Sequence, residues 1–169
     1  MGVASASGAS AGGSGCPHAK SRPDEATIPQ LRRATFCLLN RARVAAGVRP
    51  LSRDPDLSRI ANRHSKLMVD QDCFEHVCTN ERPFPRRLKF SGYLNGAKKW
   101  GYAEDLGYES TPKQMVMRWL GMPYDRRNLL NREYADVGVG LAPGTPSPQA
   151  SDRKFVTYTV DLAWRKPPA

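Results

Sequence analysis

The sequence predicts an α+β domain with a small antiparallel sheet between helices. Three observations predict it. Helix-opening capping signatures recur at Thr27, Asp54 and Thr111, each followed within two residues by a proline. Apolar residues after Thr27 and Asp54 follow a helical period. Two segments near the C-terminal end alternate apolar and small or polar residues at the period of a strand.

Thr27-Ile28-Pro29-Gln30 combines a capping residue, an early proline and a glutamine that reaches back. Leu31, Ala34, Leu38, Ala42 and Ala45 then predict a helix, with Gly47 as its stop. Asp54-Pro55 opens a second helix with an apolar face of Leu57, Ile60, Ala61, Leu67 and Met68, and His64 falls on that face. Such a histidine reads first as a core imidazole bonded to backbone and second as a ligand. Trp100, Tyr102, Glu104 and Leu106 alternate as a strand. Thr111-Pro112-Lys113-Gln114 repeats the capping signature and opens a helix through Trp119. Val137, Val139 and Leu141 alternate with Gly138 and Gly140, and Val156, Tyr158, Val160, Leu162 and Trp164 alternate with Thr and Asp. The link from Pro143 is turn chemistry.

At 169 residues the chain has the length of one domain. Residues 1–26 stand apart from it: Ala, Gly and Ser dominate up to Gly15, and such a segment cannot offset its ordering entropy, so it is expected to be disordered except near Cys16. The domain is expected over residues 27–165, with 166–169 as a short tail. No run approaches the roughly 20 apolar residues of a membrane span. No basic start with an apolar core marks an intact secretory signal, and the Ala-Ser pattern fits either the tail of one or a flexible linker.

The formal charge is +10, but the basic residues are scattered in pairs such as Arg32-Arg33 and Arg126-Arg127, without interleaved aromatics. Nucleic acid is therefore not expected as a partner. A basic soluble surface, or one drawn to an anionic envelope component or lipid, is. Cys16, Cys37, Cys73 and Cys78 allow three pairings if oxidised, and reduced thiols or a zinc site are the alternatives.

The order of Cys37-Leu38-Leu39-Asn40-Arg41, His64-Ser65, Phe74-Glu75-His76, Ala103-Glu104-Asp105 and Trp119 through Asn131 resembles the bacterial branch of the CAP superfamily. That superfamily also holds cysteine-rich secretory proteins, plant pathogenesis-related proteins and venom allergens. The resemblance covers about Thr27 to Trp164 and implies an α/β/α sandwich. It implies a pairing of Cys16 with Cys37, which would staple the N-terminal segment, and leaves Cys73 and Cys78 to close a loop around His76.

It also implies a surface cleft in which His76 and Glu104 converge. In some members that cleft binds a divalent metal. The family's third residue there is a histidine, and this chain has Asp125 instead, so the implied ligand set is His76, Glu104 and Asp125, suited to zinc or a harder ion. Each member has a structural alternative. Asp125 could cap the helix that begins with Arg126, and Glu104 could sit in a salt bridge to an arginine. Ser65 beside His64 makes only a weak nucleophile–base pair, because neighbours on a helix diverge by about 100°.

Two functions follow. The first is a secreted, monomeric, non-catalytic module that binds a ligand or envelope component in a degenerate metal-type pocket lined by His76, Glu104, Asp125 and His64. The second is a metal-dependent hydrolase using His76 and Glu104. No cofactor is fixed by either.

Overall fold

Thr27 closes the predicted capping box: its hydroxyl accepts from the Gln30 N–H at 3.4 Å, and the Gln30 side chain accepts from the Thr27 N–H at 2.8 Å. In this computed structural model, which describes residues 15–147 and 154–166, the box starts helix α1 (Ile28–Ala45). The buried face of α1 is Leu31, Ala34, Thr35, Leu39 and Arg43, one residue round from the predicted stripe of Leu38, Ala42 and Ala45. Arg43 is the reason. Its guanidinium donates to the carbonyls of Arg49 (2.9 Å), Leu129 (2.7 Å), Asn131 (3.0 Å) and Tyr134 (3.0 Å), so a charged residue is buried with its hydrogen bonds made.

After the two-residue strand β1 (Ser52–Arg53), Asp54 caps helix α2 (Pro55–Asp70) by accepting from Asp56 and Leu57 at 2.9 and 3.0 Å. Helix α3 (Phe84–Ser91) follows and stops at Gly92, whose φ of 99° lies in the left-handed region. Strand β2 (Lys99–Glu109), helices α4 (Pro112–Gly121) and α5 (Pro123–Leu129), and strands β3 (Asp136–Pro143) and β4 (Val156–Lys166) complete the order. Helix α3 and strand β1 are not predicted above. Their segments are too short for a periodic signal.

The sheet runs β1-β3-β4-β2. The three long strands pair antiparallel as expected, and β1 adds a parallel pair against β3 that makes the sheet mixed. Helices α2 and α3 cover one face; α1, α4 and α5 cover the other. Strand alternation allots the residues between them. Val137, Val139, Leu141, Val156, Tyr158, Val160 and Leu162 pack with Leu31, Leu39, Met115 and Trp119. On the opposite face β3 and β4 present small or polar residues, and α2 settles directly on Gly138 and Gly140. This is the α/β/α sandwich, with β2 left as a free edge.

Both disulfides form as expected, Cys16–Cys37 and Cys73–Cys78. Residues 15–26 run in turns beside the helices, and Ala19 accepts from the Lys113 N–H at 2.8 Å. The earlier residues of the segment expected to be disordered, and tail residues 167–169, lie outside the described residues. Among the described residues no helix is long and apolar enough to cross a membrane.

Candidate functional site

The chain leaving α2 is gathered by the Cys73–Cys78 bond into a short loop. Asp72 and Asn80, with φ of 49° and 60°, bracket it, and the Cys73 N–H donates to the Met68 carbonyl at 2.9 Å. The loop lays Phe74 edge-on against Tyr108 of β2, with centroids 5.2 Å apart. It also lays His76 over Glu104. The His76 Nδ1–H donates to Glu104 Oε1 at 2.9 Å, the histidine side chain 60 % exposed and the carboxylate 3 %.

Glu104 is held from a second side. Arg87, on α3, donates from Nη2 to Glu104 Oε2 at 2.6 Å and to the His76 carbonyl at 3.1 Å. Its Nε lies 3.6 Å from Glu81, whose carboxylate accepts from His64 Nδ1 at 2.9 Å. The result is a chain of alternating basic and acidic side chains, His64–Glu81–Arg87–Glu104–His76, that runs from the core to the surface. Beneath it, Asp161 is the cross-strand neighbour of Glu104, fully buried, with no donor on either oxygen.

The electrostatics follow from these contacts. The hydrogen bond to Glu104 raises the His76 pKa and outweighs the opposing effect of burial. Burial pushes Glu104 up, but the His76 bond and the Arg87 charge together overcome it and hold the carboxyl below its ordinary range. Glu81 is likewise pushed up by burial and brought below its ordinary value by His64 and Arg87. Asp161 has no cation on it. Burial, then the Glu104 charge, raises its pKa well above the ordinary value.

Asp105 is the next residue along β2 and so projects from the other face. Its Oδ1 accepts from Asn128 Nδ2 of α5 at 2.7 Å, while its Oδ2 is buried with no donor. Burial, against that one hydrogen bond, raises Asp105 to about 7. Asp125, whose own pKa burial raises, meets Asp105 carboxyl to carboxyl.

Between the disulfide loop and the α4–α5 corner lies a cleft of about 370 Å³ that crosses the free edge of β2. Phe74, His76, Glu104 and Tyr108 line it on one side of the edge; Asp105, Met122, Tyr124 and Asp125 line it on the other. Its floor is set by Trp119, whose indole donates to the Leu106 carbonyl at 2.9 Å, and by Gly107, where a β-carbon would collide with Met115.

The sequence-derived set divides in three. His76 and Glu104 are brought together, and Glu104 also has the arginine partner considered for it. Asp125 borders the same cleft but turns to Asp105, and it is not a helix cap: Met122 occupies the cap position and Asp125 lies within the first turn of α5. His64 is buried away from the cleft, and its partner is Glu81, not backbone.

Glu81, Arg87, Asp105 and Asp161 were not singled out from the sequence. Only Asp105 carried a signal, as the residue after Glu104. The donor set does not fit a metal ion. Both Glu104 oxygens are engaged, and among the described residues no three His, Cys, Asp or Glu side chains are placed to hold one.

The model of the CAP family, described as the cysteine-rich secretory protein family, matches residues 36–160. The chain is 30 % identical over 105 residues to the uncharacterized protein YkwD of Bacillus subtilis, covering 61 % of this chain and 39 % of that one. It shares its fold with an extracellular protein containing an SCP domain from Bacillus anthracis, with a TM-score of 0.61 at 23 % identity over 81 % of this chain and 43 % of the other. An outer surface protein of Borrelia burgdorferi gives a TM-score of 0.68 at 14 % identity, over 83 % and 97 %. The chain thus spans less than half the length of YkwD and of the Bacillus anthracis protein.

Proposed function

We propose a function from one premise: the chain belongs to the CAP, or cysteine-rich secretory protein, family. It is a non-catalytic binding module that works outside the cell and takes its ligand in the cleft at the β2 edge, a degenerate form of a metal-type pocket. One observation carries the reading. Glu104 gives one oxygen to His76 and the other to Arg87, so the central carboxylate is held by hydrogen bonds on both oxygens and positions a histidine.

The chemistry of the lining agrees. Among the described residues no Ser, Thr, Cys or Lys lines the cleft, so an aliphatic hydroxyl, thiol or amine nucleophile is not at hand there, and Ser65 is buried on Thr159 at 2.8 Å. An extracellular setting is supported by two disulfides and by the extracellular and outer-surface relatives.

Zinc calorimetry on the wild type and on Asp125→His tests the reading. The wild type should give no saturable heat. Asp125→His restores a second imidazole, and zinc binding by that variant alone would mark the site as one that has lost its metal here. One zinc per chain in the wild type, abolished by His76→Ala, would instead support the metal-dependent hydrolase.

A further inference from the structure

We propose that the cleft takes a primary ammonium group carried on a short apolar chain, the nitrogen donating to Asp105 and Asp125 and the chain lying against Phe74, Met122 and Tyr124. The proposal rests on the reading of the cleft as a binding site and names what fills it.

The first argument is charge. The chain carries +10, yet Glu75, Glu104, Asp105 and Asp125 line this cleft against His76 and Arg118. Arg118 is turned to Glu109 at 2.9 Å, and Glu104 is neutralised by Arg87 and His76. Asp105, Asp125 and Glu75 remain to face a ligand, so a cation is favoured and an anion is repelled.

The second argument is an acceptor without a donor. Asp105 borders the cleft and is 1 % exposed, and its buried Oδ2 has no N–H donor, with the Asp125 carboxyl as its neighbour. A buried carboxylate oxygen left so is costly, and among the described residues no Lys or Arg is bonded to it. Asp125 is itself a carboxyl and supplies a hydrogen only when one of the two acids holds a proton. An ammonium N–H supplies donors to both. A quaternary ammonium carries the charge but has no N–H to give.

The third argument is the apolar rim. Phe74, Met122 and Tyr124 are 43, 48 and 66 % exposed around the same cleft. Large side chains held at the water surface gain by covering an alkyl chain, and the aromatic faces add attraction for the cation. A volume of about 370 Å³ suits a small amphiphile.

The test is an NMR titration of the whole chain at pH 7.5 with n-hexylammonium, 1-hexanol and hexanoate, followed by zinc. Hexylammonium should shift the cleft resonances to saturation, hexanol should bind roughly tenfold more weakly because it lacks a charge-assisted hydrogen bond, and hexanoate should not bind. Asp105→Asn should weaken hexylammonium by roughly tenfold with the fold intact by circular dichroism. Asp125→Asn, on exposed α5, should do the same and keeps the test open should the first variant fold poorly. Hexanol or hexanoate binding as well as hexylammonium would overturn the ammonium while leaving the cleft a binding site. If no organic probe binds and zinc does, the metal-free reading of the cleft falls as well; if nothing binds, the ammonium proposal falls.

Discussion

Replacing Gly140 by alanine tests the packing that positions the whole α2 side of the molecule. A β-carbon at Gly140 would stand 2.5 Å from the Asn62 nitrogen and closer still to the Ala61 carbonyl, all of it helix backbone. Real β-carbons essentially never come within 3.0 Å of such atoms, so α2 has to retreat from β3. Backbone cannot swing aside as a flexible side chain does. The retreat loosens Leu57, Ile60, Ala61, His64, Ser65 and Met68 together, since one rigid helix carries all six. Overpacking costs typically 1–3 kcal/mol, and this case should lie at or above the top of that range, about 3 kcal/mol. For a domain of this size that lowers Tm by roughly 6–12 °C.

Urea unfolding followed by circular dichroism measures it. Gly121→Ala is the control, because nothing lies within 4 Å of a β-carbon there. That variant should match the wild type or exceed it slightly, alanine being the better helix former. A Gly140→Ala protein within about 1 kcal/mol of wild type would refute the direct seating of α2 on the sheet.

Arg43→Met should destabilise by about 3 kcal/mol, because it strands the carbonyls of Arg49, Leu129, Asn131 and Tyr134, and Arg43→Lys should rescue little, since an ammonium cannot bridge that fork; urea midpoints decide. Asp105 has a pH signature of known sign. Its folded pKa of about 7 stands above its unfolded value, so its contribution favours the fold below about pH 4 and is lost as pH rises through about 7, by about 1.4 kcal/mol per pH unit at most. Asp105→Asn should therefore raise Tm at pH 8 and converge with wild type at pH 4, and parallel Tm curves would contradict the assignment.

Much of the fold was legible because it rests on local signals. Thr27, Asp54 and Thr111 cap the three long helices where the capping residues predict them. The alternation at Val137–Leu141 and Val156–Trp164 places the same residues on the α1 side of the sheet. The face of α1 was misjudged by one residue because apolar periodicity cannot anticipate that Arg43 is buried by carbonyls far along the chain.

The candidate site was legible only in part, for the same reason. His76 and Glu104 emerged from a resemblance carried by short motifs. The partners that set their behaviour come from elements 11 to 57 residues away: Arg87 reaches back to His76 and across to Glu104, and Asp161 lies under Glu104 from the far strand. Residue type alone does not mark these four as neighbours. Asp125 stood at the family's histidine position, yet its side chain turns to Asp105, and that choice depends on β2 and α5 packing.

The central claim is that Glu104 is fully committed to His76 and Arg87, which leaves a binding cleft and not a metal centre. An NMR titration of His76 tests it most directly. The account predicts titration above 6.5, a fall toward that value in Glu104→Gln, and a curve unchanged by equimolar zinc. A wild-type His76 that titrates below 6.5, or one whose titration zinc displaces, would contradict it.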